Sequence, residues 1–187
     1  MKTEITIQQQ LNEFYQVNNF GEEGGANQNW VWFKFGLISL PLYNFKQRRE
    51  LIWVHDLNHL VTGYQTNWRG ESSISAWEAS TGGWGFNFVW ILILSAFGIG
   101  VCLYPRTTFQ AFVRGRYTRG PMNLKLSKKQ IIELKISELK DQLGFSNEPI
   151  YKANRSDVLS FTGWAFLSLA LILAPLWIGG LLFYFYL

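Results

Sequence analysis

Sulfur and imidazole are scarce in this chain. Its 187 residues include one cysteine, Cys102, and two histidines. A single thiol inside an apolar run excludes a disulfide framework and a thiolate zinc site, and leaves the redox compartment open. With no third histidine, the metal phosphohydrolases of the HD kind are excluded, because they need further His and Asp ligands. No leader is expected at the start of this sequence. Met1-Lys2-Thr3-Glu4 has no basic segment running into an apolar one and is too acidic for an Arg-rich transit peptide, so nothing is expected to carry the first eighty residues across a membrane. Formal charge is missing from two stretches, Phe86 to Tyr104 and Val158 to Leu187. No repeat relates them and neither holds an ionisable residue, which argues against a channel or transporter.

Aromatic residues, by contrast, are plentiful: 9 Trp, 8 Tyr and 15 Phe, a load typical of chains that meet a membrane interface. The nineteen residues from Phe86 to Tyr104 approach the length needed to cross a bilayer, and Val158 to Leu187 exceeds it, with a kink candidate at Pro175. Between them, Arg106 to Asp157 carries eleven basic and five acidic residues. By the positive-inside rule this linker is cytoplasmic. A first segment that is buried or interfacial, rather than spanning, keeps residues 1–85 on the same side. The expected topology is therefore a helical domain over 1–157 on the cytoplasmic face, of a bacterial inner membrane, with a C-terminal transmembrane anchor over 158–187. Basic residues lying between apolar segments suit anionic lipids better than nucleic acid.

The pattern along the chain is helical. Ile7, Leu11, Phe14 and Tyr15 share one face of a helix expected over Thr3 to Val17. Asn18 to Asn29 reads as a loop. Trp30 to Phe45, apolar and aromatic but broken by Lys34 and Pro41, reads as a buried or interfacial helix. A helix from Leu51 runs through His59 to Val61, and the Gly63 to Gly70 stretch breaks it. A second starts at Glu71. Farther on, Ser127 and Gln130 form a capping box for a helix that puts Ile132, Ile136, Leu139 and Leu143 on one face and stops at Gly144.

The two histidines stand four apart, in His55-Asp56-Leu57-Asn58-His59. On a helix this spacing puts both imidazoles on one face, one turn apart, where one cation can bridge them. Asp56 sits about 100° round the axis. It is a third ligand, an acceptor that fixes an imidazole tautomer, or the partner of Arg48 or Arg49 in a salt bridge. Glu71 is the natural fourth ligand, provided the chain doubles back at the glycines. On a continuous helix it would lie roughly 18 Å beyond His59. Charge complementarity at a helix N-terminus is the other reading of Glu71. Zinc accepts such a donor set with a water, and non-haem iron(II) uses two histidines and a carboxylate. A zinc protease of the HExxH type places Glu where Asp56 stands, and the shorter side chain suits that role poorly.

His55-Asp56-x-x-His59, eleven residues, then Glu71 resembles the signature of the Coq-four family of coenzyme Q (ubiquinone) biosynthesis proteins. The neighbourhood Val61-Thr62-Gly63-Tyr64-Gln65-Thr66 and Ser137 to Phe145 is similar to that family as well, so the resemblance covers roughly residues 45–146. It implies an all-helical, membrane-associated fold with a channel for an isoprenoid tail, which the Phe86 to Tyr104 helix would help line. It also implies a divalent metal held by His55, Asp56, His59 and Glu71. The implied function is oxidative decarboxylation and hydroxylation at C1 of a polyprenylated aromatic ring. A non-catalytic scaffold or lipid-presenting protein that organises other quinone-biosynthesis enzymes is the alternative. The implied partners are an isoprenoid lipid or prenylated quinone precursor, the membrane, and those enzymes or a second copy of the chain. The apolar tail from Val158 departs from the family's pattern.

Overall fold

The structure, a computed structural model, describes residues 5–35, 38–85, 88–145 and 152–186. It is mostly helical, 74% of it, so the all-α expectation holds apart from one hairpin. The first helix, α1 (Ile7–Asn18), opens on a capping box in which Thr6 and Gln9 satisfy each other's backbone N–H. Its face of Ile7, Leu11 and Tyr15 is buried, as the spacing predicts. A short 3-10 turn, Glu22–Gly25, follows.

The segment read as a buried or interfacial helix is instead an antiparallel hairpin. Strands β1 (Trp30–Phe35) and β2 (Ile38–Tyr43) pair with Trp30 opposite Tyr43 and Trp32 opposite Pro41. Aromatic and β-branched residues favour a pleated strand. Pro41 is tolerated because both strands are edges. Asn44, fully buried, pins the base by donating to the carbonyls of Gly25 and Gln28 at 3.1 and 2.6 Å.

Helices α2 (Lys46–Thr62) and α3 (Trp68–Thr81) form the predicted foldback. Gly63 ends α2 at φ +76°, the left-handed conformation that a glycine adopts without penalty. Asn67 caps α3 by accepting from the Gly70 N–H at 2.9 Å. The second helix thus starts three residues before Glu71, with Gly70 in its first turn. Helices α4 (Val89–Leu103) and α5 (Pro105–Tyr117) pack on the far side of α3. Small residues allow the close approach: Gly100 abuts Ser72 and Thr108, and Gly115 abuts Trp77 and Ser80.

The helix expected over 127–144 is two helices, α6 (Lys128–Glu133) and α7 (Ile136–Leu143). Leu134 and Lys135 are extended between them, because Leu134 accepts from the Ile7 N–H at 2.8 Å and Lys135 bridges Thr6. The break turns Ile131 rather than Ile132 into the core, while Leu139 and Leu143 remain buried. The Ser127–Gln130 capping box and the left-handed stop at Gly144 stand as predicted.

The last helix, α8 (Arg155–Tyr186), contains Pro175. Its stretch Arg155–Leu176 is long and apolar enough to cross a membrane, with only 11% of that window buried. Its first turn is tied down by Asp157, which accepts from Arg116 and Tyr117 of α5 at 3.4 and 3.0 Å. Trp164 stacks on Trp90, and Phe161 meets Phe97, Phe109 and Phe112. Helix α4 is a member of the helical body, packed on α3, α5 and α8. Its fifteen residues rise roughly 22 Å, short of the ~30 Å hydrocarbon core. The layers run from α1 and α2 to α3, then α4 and α5, then α8.

Candidate metal centre

Three predicted site residues meet between α2 and α3. The imidazole Nε2 atoms of His55 and His59 are 3.3 Å apart, the spacing expected of i, i+4 side chains with converging tips. Glu71, one turn into α3, straddles them. Its Oε2 is 3.3 Å from His55 Nε2 and its Oε1 is 3.4 Å from His59 Nε2. One ligand atom from each of the three lies within 4.8 Å of the others. The foldback that Gly63 and Gly70 permit is therefore present.

The other nitrogen of each ring decides what Nε2 can do. His59 Nδ1 is 2.8 Å from the carbonyl of Tyr64, and a carbonyl can only accept, so Nδ1 carries the proton. His55 Nδ1 is 2.9 Å from Glu78 Oε1, and the same logic applies to a carboxylate. In the neutral rings both Nε2 lone pairs then point at one spot, opposite Glu71. Facing lone pairs at this distance repel, so the spot calls for a proton or a cation. Two donors each about 2.0–2.1 Å from a tetrahedral ion stand roughly 3.3–3.4 Å apart. The Nε2–Nε2 spacing matches, Glu71 offers one oxygen to each ring, and the donor set suits a small divalent ion.

Electrostatics agree. Burial alone would lower the His55 pKa, but the carboxylates of Glu78 and Glu71 outweigh it and hold the imidazole well above its ordinary range. Burial likewise pushes Glu71 up, yet hydrogen bonds to both imidazoles and their charge hold its carboxyl well below the usual carboxylate range. The pocket of charge favours a cation among these three groups. His59 is sealed, with 2% of its side chain exposed, and stacks on Phe14. His55 and Glu71 keep 24% and 29% exposed, so the site opens on their side.

Asp56 is the correction. It is not among the converging ligands. Its side chain turns from the site toward α1 and the 3-10 turn, where Oδ2 abuts Gly24 beside Tyr15 and has no hydrogen-bond partner. One residue round the helix from His55 is enough to leave the shared face. Burial raises its pKa to about 6, against the opposing charges of His55, His59 and Arg48. Arg48 acts on this carboxylate through its charge, without an ion pair between them among the described residues. The tautomer-fixing role considered for Asp56 falls to Glu78 on His55 and to Tyr64 on His59.

Sequence reasoning missed Glu78, Asn58 and the Tyr64 carbonyl. Glu78 stands seven residues, two turns, from Glu71 on the same face of α3, a signal that could have been read. Asn58 Nδ2 donates to Glu78 Oε1 at 2.8 Å. The loop is held by Arg114 of α5, which donates to the Thr62 carbonyl at 2.8 Å and covers the rings of Tyr64 and Phe145. No family model matches this chain, and no curated protein or solved structure matches it either.

Proposed function

We propose that the chain is a membrane-anchored, divalent-metal-dependent enzyme acting on a polyprenylated aromatic ring, a quinone precursor. The carrying observation is the trio His55, His59 and Glu71, with both Nε2 atoms turned toward Glu71 and an acceptor behind each ring. The motif's resemblance to the Coq-four family, already described, supplies the substrate class. Bound at the trio, zinc or iron(II) would act as a Lewis acid toward phenolic or carboxylate oxygens, and iron would suit oxidative loss of the C1 carboxylate.

The chain's own groups do the rest. Glu71 and the two imidazoles leave one side open, where a head-group oxygen can enter past the exposed edge of His55 and Glu71. Phe14 closes the opposite side over His59 and limits water there. An isoprenoid substrate is itself held in lipid, which fits the exposed apolar surface of α8: Leu159, Phe166, Leu176 and Phe183 are each more than two-thirds exposed. Trp30, Trp32 and Tyr43 on the hairpin add aromatic groups of the interfacial type.

Detergent-purified protein tests this by metal analysis combined with mass spectrometry of co-purified lipid. A stoichiometric divalent metal and an isoprenoid phenol or quinone are expected. A metal-free sample lacking isoprenoid would overturn the proposal. His59→Ala should abolish metal retention while α8 and the fold persist. Loss of folding and metal together would instead mark a scaffold whose ion only pins α2 to α3.

A further inference from the structure

Glu78 is a carboxyl group in a demanding place. Its side chain is 1% exposed, and among the described residues its only ion-pair partner is His55. Its Oε1 takes two hydrogen bonds, from His55 Nδ1 and Asn58 Nδ2, while Oε2 is buried with no partner. A buried carboxylate normally demands a cation or a full set of donors. Here the cation must come through the imidazole, because among the described residues no Lys or Arg is paired with it.

Three carboxylates lie close to the two histidines: Glu71, Glu78 and Asp56. The positive charge of Arg48 acts on Asp56. Glu71 and Glu78 remain, on either side of the His55 ring, one at Nε2 and one at Nδ1. With neutral imidazoles they leave a deficit of two charges, that of one divalent ion.

We propose that Glu78, held by Asn58, is the positioning residue of this centre: acting through His55, it aims Nε2 at the ion and supplies the second negative charge that retains it. The inference rests on the metal reading above and goes beyond it by assigning a residue that touches neither ion nor substrate. Partners of this kind behind metal-binding histidines typically govern roughly 10–100-fold in affinity.

The test uses the full chain in detergent, stripped with chelator and then titrated with Zn2+ against a chromophoric competitor and with Co2+ by absorption. Glu78→Gln keeps an acceptor for His55 Nδ1 but removes the charge. It should weaken Zn2+ binding roughly 10–100-fold and shift the Co2+ absorption. The unfolding midpoint of the stripped protein should hold or fall, because the buried His55–Glu78 pair is lost. Asn58→Ala leaves the charge and loosens its orientation, so it should weaken binding in the same direction by less. A Glu78→Gln affinity equal to wild type, or a lowered midpoint without change in affinity or Co2+ spectrum, overturns the proposal and leaves the metal reading standing. A wild-type chain that takes up neither ion overturns both.

Discussion

Alanine at position 70 would put a methyl group where the Gln65 carbonyl already stands. A Cβ built on Gly70 comes within 1.8 Å of Gln65 O and 2.7 Å of its carbonyl carbon, whereas real Cβ contacts essentially never fall below 3.0 Å. The obstacle is backbone, so no rotamer relieves it. Either the 63–67 loop retreats by about an ångström or more, or the first turn of α3 opens and the Asn67 cap is lost. Overpacking costs roughly 1–3 kcal/mol and a lost cap about 1 kcal/mol. Gly70→Ala should therefore cost about 2–4 kcal/mol and lower the unfolding midpoint by roughly 5–15 °C for a chain of this size. The same displacement moves the Tyr64 carbonyl off His59 Nδ1 and Glu71 off both imidazoles, so metal affinity should fall with stability. Gly63→Ala is the control. Its φ of +76° is unfavourable to alanine by roughly 1–2 kcal/mol, yet nothing lies within 4 Å of the new methyl. Circular dichroism melts of the stripped proteins, with Zn2+ titrations beside them, give the comparison. If Gly63→Ala proves as damaging to metal binding as Gly70→Ala, the loop does not register the site as argued.

Two further predictions concern neighbours of the trio. Asp56→Asn should stabilise the chain at neutral pH by about 1–3 kcal/mol, the upper end corresponding to about two pKa units. The sign follows from a carboxyl pKa raised to about 6: the folded state binds the extra proton, so stability falls as pH rises from about 4 to 6, and Asn removes that loss. Denaturant melts across that window check it, and a metal affinity that collapses as in His59→Ala would restore Asp56 as a ligand. Arg114→Ala should cost about 2–3 kcal/mol, from a charged hydrogen bond to Thr62 O and the ring contacts. Lysine at 114 should recover only part, since it cannot reach the carbonyl and cover both rings with one planar group. Equal melting of all three chains would refute the clamp.

What the sequence showed was what depends on neighbours in the chain. His55 and His59 face one way because four residues make one turn, and Gly63 with Gly70 marks the reversal that returns Glu71. The caps at Ser127 and Gly144 are equally local. Asp56 failed for the same reason that it was tempting: adjacency in sequence is not adjacency on a helix face. Glu78 was overlooked because its importance exists only after α3 has folded back onto α2, which turns a seven-residue interval into two sides of one imidazole. The break at Leu134 and Lys135 has no local breaker residue at all. It arises because α1 offers a backbone partner there, a tertiary contact that outbids helix propensity. Trp30 to Phe45 reads as a helix on its apolar and aromatic character, yet its strand-favouring side chains weigh against one.

Helix α3 joins the two halves of the reading. Its Ser72 and Trp77 lie against Gly100 and Gly115 of α4 and α5, the pair on which α8 rests. Its Glu71 and Glu78, on the other side, flank His55. Adjacent residues 71 and 72 thus serve opposite surfaces, one at the metal trio and one at the layer under the apolar helix. A close contact of the Gly100–Ser72 kind has little room to slide, because interiors are packed to crystal-like density. The height of the trio above α8 is consequently set by two rigid helix layers, each about 8–10 Å thick.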